Sequence, residues 1–169
     1  GMTGLCNAAL VTNVANATYG GWAAGATVYE TLQDINELLT SVWAASGYAA
    51  CPTDLRLPPA QYAYLVGNIV SQAGNISILQ YLVANNISTA NNGTPLNIQP
   101  LKWLPTAGVG SATRMLAYTK RQQYVRFPLV PLQRTPMEYR SLRQITTYYG
   151  RLGQVETVYP ETIGYRDGI

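Results

Sequence analysis

The stretch from Thr27 to Gly47 constrains this chain more than any other part of it. Thr27 and Glu30 stand at the Thr-x-x-Glu spacing of a capping box, in which each side chain accepts the other residue's backbone N–H. Val28, Leu32, Ile35, Leu39 and Val42 follow at steps of three and four, and Leu38 and Trp43 widen the stripe. This pattern predicts an amphipathic helix over residues 27–45, about five turns long and closed by Gly47. A helix with one apolar stripe has to bury it against another layer, so the rest of the chain must supply a sheet or further helices. Glu30, Asp34 and Glu37 share another face of the same helix.

Residues 1–26 are rich in Ala, Asn, Gly and Thr and read as loop with weak strand. After Cys51-Pro52 a short strand is expected at Asp54-Leu55-Arg56-Leu57. Pro58-Pro59 then opens a helix running to about Ala73, since proline is tolerated in a first helical turn. Asn75 is placed to cap a further helix from Ile76 to Ala84, and the Asn-rich segment 85–95 reads as loop. From Leu96 onward the pattern turns to strand. One run spans 96–104, interrupted by Pro100, a turn falls at Gly108 and Gly110, and a second run covers Arg114 to Thr119. Tyr124 to Phe127 opens a third run that Pro128 and Pro131 confine to an edge. Gln144 to Tyr159 alternates around Gly150 and Gly153, as a long bulged strand or a hairpin does. The fold class is therefore α+β, helices first and sheet later.

Charged residues make up only 11% of the 169 positions, against roughly 25% in an average soluble domain. Few charges leave little repulsion to keep copies apart, which suits a protein that associates with itself. Thirteen tyrosines against one Phe point the same way, because Tyr tolerates half-buried contact surfaces. The chain has no His, which removes Ser/His/Asp and Cys/His nucleophile systems and the commonest metal ligand. No phosphate-cradling loop, dinucleotide fingerprint or Cys-x-x-Cys pair occurs. No catalytic residue, cofactor or metal site is expected, and no small-molecule substrate. Cys6 and Cys51 read as free thiols, with a disulfide between them left open. No run approaches the ~20 apolar residues of a membrane span, and no signal peptide follows Gly1-Met2.

The charge is split along the chain. Up to residue 100 the one base, Arg56, faces Glu30, Asp34, Glu37 and Asp54. Beyond it ten bases face Glu138, Glu156, Glu161 and Asp167. Opposite-sign stretches attract within or between molecules. The expected inter-subunit contacts therefore pair Arg121, Arg126, Arg140 and Arg143 with the Glu30, Asp34, Glu37 stripe of a neighbour. The bases are dispersed singly, so any contact with packaged DNA is expected to be non-specific.

Three segments carry a family likeness. Pro52-Thr53-Asp54-Leu55-Arg56-Leu57-Pro58-Pro59-Ala60-Gln61-Tyr62 resembles a strand-to-helix hallmark of tailed-bacteriophage major capsid proteins. Arg126 to Pro136 and Val158 to Asp167 are similar to a prophage-encoded family related to the encapsulin-like coat fold. The resemblance covers most of the chain. It implies a peripheral lobe, residues 1–47 and 126–169, in which Thr27 to Ala45 is a spine helix lying on a long-stranded sheet. It also implies an axial lobe over 48–125, a mixed sheet flanked by helices, with Gln144 to Tyr159 returning to the peripheral sheet. Full-length members carry an N-terminal arm and an extended loop before the spine helix, and both are expected to be missing here. The implied function is a self-assembling shell subunit, made in the bacterial cytoplasm and resident in the virion. The other readings are a decoration or connector component of a phage, and a small-molecule binder or enzyme.

Overall fold

In the computed structural model, residues 4–22, 25–71 and 74–169 are described. Strand β1 (Val14–Asn16) precedes helix α1 (Val28–Ala45). Strand β2 (Asp54–Leu57) leads into α2 (Pro59–Gly67), the short strands β3 (Ile69–Ser71) and β4 (Ile76–Ser77), and helices α3 (Ile78–Ala84) and α4 (Ile87–Asn92). Strands β5 (Asn97–Pro100) and β6 (Arg114–Tyr118) follow. Six strands then build a projecting ribbon: β7 (Val125–Arg126), β8 (Leu129–Arg134), β9 (Glu138–Arg140), β10 (Arg143–Ile145), β11 (Tyr148–Leu152) and β12 (Glu156–Thr157). Strand β13 (Ile163–Asp167) returns to the body.

Helix α1 forms where its cap predicts. Thr27 Oγ1 accepts the Glu30 N–H at 3.3 Å, and Glu30 Oε2 accepts the Thr27 N–H at 2.6 Å. The helix closes at Ser46, followed by Gly47 at φ 64. Its buried face is Thr31, Asp34, Ile35, Leu38, Leu39 and Val42.

That face lies on a five-stranded mixed sheet of order β1-β13-β6-β2-β5. The β13/β6 and β6/β2 pairs are antiparallel, and β1/β13 and β2/β5 are parallel. Strands β2, β6 and β13 are buried along their whole length, so both faces of the sheet are covered. Side-chain alternation divides the core in two. Met115 and Ala117 join Ile35, Leu38, Leu39 and Val42 of α1 with Leu65, Ile78 and Leu82 of α2 and α3. Leu116, Tyr118, Ile163 and Tyr165 point the other way, onto Val11, Leu104 and the N-terminal Leu5 and Cys6. Each fully buried Leu or Ile contributes roughly 1.5–3 kcal/mol relative to exposure.

The fold is mixed α/β, with the predicted helix bracing a sheet completed late in the chain. Local differences have physical causes. Helix α2 ends at Gly67 because Asn68 is extended (ψ 144), and 69–71 form strand instead of continuing the helix; residues 72–73 lie outside the described set. Helix α3 is capped by Ser77, whose hydroxyl accepts the Gln80 N–H, while Asn75 adopts φ 47 in a turn. The loop expected at 85–95 contains α4, capped by Asn86 and stopped by Gly93 at φ 67. Strand β13 pairs with β6, so one sheet joins residues 14–16 and 163–167 to residues 54–57, 97–100 and 114–118. What leaves the body is the ribbon.

Candidate assembly surface

The body neutralises its own charges. Asp34 is fully buried. Its carboxylate accepts the Thr18 N–H at 3.0 Å and the Trp22 indole N–H at 3.4 Å, with Arg166 at 3.9 Å. Glu37 accepts from Thr18, Gln33 and Arg166 at 3.0, 3.0 and 3.2 Å. Partial burial would raise the Glu37 carboxyl, but these donors and the Arg166 charge hold it below the ordinary carboxylate range. Arg114 meets Asp167 with two bonds, at 2.6 and 2.8 Å, on the other side of the sheet. Arg56 bonds Asp54 at 2.7 Å, and Asn97 completes that carboxylate. Sequence reasoning missed Arg166, because its acidic partners lie more than a hundred positions away.

The carboxylate stripe thus has three fates. Glu30 is spent on the cap, with the Thr27 N–H holding its carboxyl low. Asp34 is an interior residue, out of reach of a neighbouring molecule. Glu37 keeps an exposed edge but already has three partners. Among the described residues, none of the four arginines expected to meet the stripe does so within one copy. Arg126 pairs with Glu156 at 2.7 Å, Arg140 stands 4.0 Å from Glu138, and Arg121 and Arg143 are exposed.

The ribbon from 125 to 158 is of a different nature. Its strands pair in three steps, β7 with β12, β8 with β11 and β9 with β10, turning at Ser141-Leu142 with Ser141 at φ 57. The expected bulge falls at Gly150, where the register shifts between Tyr149 and Arg151. None of residues 125–158 is buried. Leu129, Leu132, Tyr139, Tyr148 and Leu152 are all more than half exposed, and Leu142 at the tip is wholly so. Half of the exposed large apolar side chains among the described residues lie in this fifth of the chain. A two-stranded ribbon is marginal in water by itself, and such a concentration of apolar surface marks a contact site. Five arginines against Glu138 and Glu156 make the ribbon basic. At its tip Arg140 and Arg143 occupy directly opposed positions.

Beside the ribbon's root lies an open cavity of about 510 Å³. The end of α1 supplies Ala45 and Ser46, the next loop Ala49 and Ala50, the root Tyr124 and Tyr159, and the following turn Glu161. The two tyrosine rings meet edge to face at 5.9 Å. Cys6 is half-buried and Cys51 buried, both as free thiols, and burial pushes both pKa values up. Among the described residues no group of three His, Cys, Asp or Glu side chains could hold a metal ion, and no helix is long and apolar enough to cross a membrane.

A sheet covered on both faces, an interior that cancels its own charge and a sticky projecting ribbon define a structural building block. Seventeen solved chains match it. A chain of the capsid of Myoviridae phage XM1 superimposes with a TM-score of 0.70 at 18% identity, over 95% of this chain and 53% of that one. The subunit of a virus-like particle from Pyrococcus furiosus gives 0.57 at 13% identity, over 92% and 56%. The chain thus shares the fold of these two, and it spans little more than half the length of each. The family model for major capsid proteins matches residues 1–169, and the chain belongs to that family. No curated protein matches it in sequence.

Proposed function

We propose that this chain is a structural subunit of a phage shell, without catalytic activity, and that the ribbon 125–158 is where it grips its neighbours. The observation that carries the reading is the exposure of the ribbon: a fifth of the chain, rich in Leu, Tyr and Arg, has no core of its own. Packed against other subunits, the ribbon would gain the partner layer that a two-stranded sheet needs. Arg121, Arg126, Arg140 and Arg143 sit on or beside it and remain the proposed basic contacts. On the acidic side the proposed contacts are the Glu30 carboxylate oxygen that the cap does not use and the exposed edge of Glu37, while Asp34 is buried. The division into lobes follows the same line, with the ribbon as the contact-making part of the proposed peripheral lobe. Residence in the virion follows from the same reading. Any DNA contact is through dispersed charge, whose affinity falls steeply with salt.

The test is self-association of the chain, followed by sedimentation velocity and electron microscopy. The expected result is large, regular oligomers for the wild type, and smaller species after combined Leu132→Ser, Leu142→Ser and Leu152→Ser with an unchanged circular dichroism spectrum. A wild type that stays monomeric at high concentration, or a triple variant that assembles normally, contradicts the reading.

A further inference from the structure

The geometry points to a specific socket: the cavity at the ribbon's root receives the ribbon tip of a second copy, with Leu142 against its alanine wall and Arg143 against Glu161. This rests on the shell-subunit reading and adds the residues of one contact to it.

Four features make the cavity a receptor for a cationic side chain carried next to an apolar one. The carboxylate of Glu161 is exposed at its wall and has no ion-pair partner among the described residues. Helix α1 ends there with no basic residue in its last turn, so the negative pole of its dipole is left uncompensated. The rings of Tyr124 and Tyr159 offer aromatic surface to a guanidinium. Ala45, Ala49 and Ala50 supply a small-residue apolar wall.

The ribbon tip has the complementary chemistry. Arg140 and Arg143 are directly opposed across the strands, an arrangement in which like charges repel. The 4.0 Å approach of Glu138 to Arg140, with both side chains well exposed, offsets little of that. An acidic partner would relieve it. Leu142, between them, is the most exposed apolar side chain described. The tip does not occupy its own socket: the ribbon leaves the body beside that cavity, and no residue of β9, β10 or the turn between them lines it. A tip-to-root contact joins different surfaces of successive copies, which closes into rings or continues as a chain.

Charge exchange tests the socket. Glu161→Arg and Arg143→Glu, each alone, are expected to lower the fraction of assembled chain at least tenfold at fixed concentration, with unchanged thermal unfolding of the dispersed chain. Combined in one chain, they are expected to restore assembly to within a few-fold of wild type. Assembly unaffected by Glu161→Arg, or a double variant no better than the singles, overturns the socket while leaving the shell-subunit reading standing. Arg143→Glu that lowers DNA retention without touching assembly would assign the tip to nucleic acid and overturn the socket as well. A wild-type chain that never associates overturns both.

Discussion

Gly164 of β13 lies directly beneath Val42 of α1, so close that a Cβ at position 164 would overlap the Val42 Cγ2 and stand 3.1 Å from Leu38 Cδ1. The glycine is what lets the helix settle onto the sheet at this point, and both neighbours are fully buried. Replacing it by alanine forces the helix or the strand to move. Overpacking of this kind costs about 1–3 kcal/mol. Gly164→Ala is therefore expected to lower the urea midpoint at an unchanged m-value, and the wild-type midpoint in this variant would refute the packing described.

Arg114 and Asp167 form the best-made interior ion pair. Burial alone would raise the Asp167 carboxyl. The two Arg114 bonds, the Val109 N–H and the Arg114 charge together pull it below the ordinary carboxylate range. A carboxyl lowered in the folded state stabilises the fold fully above the ordinary Asp value of about 3.9, and that contribution is lost as pH falls from there through the folded value. Arg114→Met leaves a buried charge unpaired and is expected to cost about 3–5 kcal/mol at pH 7. Asp167→Asn is expected to flatten the acid limb of stability against pH below about 4. An acid limb identical to wild type would show that this pair does not govern it.

Tyr165 ties the N-terminal segment to the sheet. Its hydroxyl donates to the Leu5 carbonyl at 2.6 Å and accepts the Ala8 N–H at 3.1 Å. Burial pushes its pKa up to about 12, and burial acts in the same direction on Tyr118. A raised phenol stabilises the fold fully below its ordinary value of about 10, and the contribution disappears as pH climbs through the folded value. Tyr165→Phe is expected to cost about 1 kcal/mol at neutral pH, since two part-buried backbone groups lose their partner. Alkaline ultraviolet titration of the wild type should leave a tyrosine neutral at pH 11 that ionises on unfolding, and its absence would contradict the burial.

Both cysteines are free and both thiols are raised by burial, so they react slowly in the folded chain. Without reductant, a thiol reagent at pH 8 is expected to label two groups per chain on unfolding and to reach the buried Cys51 last. No label on the unfolded chain would mean a disulfide.

Local signals made much of this fold legible. The Thr27–Glu30 cap and the stripe from Val28 to Val42 set α1, while Asp54 to Leu57 and Arg114 to Tyr118 read as strands from their own residues. Strand β13 carries no such mark. Ile163-Gly164-Tyr165-Arg166-Asp167 alternates apolar with small or charged residues, and its Arg and Asp are buried only because Glu37, Asp34 and Arg114 wait for them in the fold. Helix α4 hides in an Asn-rich stretch because its support is tertiary: Asn92 and Ser88 both donate to the Pro52 carbonyl. The basic stretch beyond residue 100 includes the five arginines of the ribbon. No sequence pattern reports that Arg166 already meets Asp34 and Glu37 within the chain. The cavity beside Glu161 was equally hidden, because three segments distant in sequence build it.

Neighbouring subunits are expected to cover the ribbon 125–158 in the assembled particle. Hydrogen–deuterium exchange of the assembled chain against the dispersed chain tests this most directly. Amides of β8, β9, β10 and β11 are expected to exchange fast when dispersed and to slow at least tenfold on assembly, while those of β2, β6 and β13 are slow in both. A ribbon that still exchanges fast within assembled particles would contradict it.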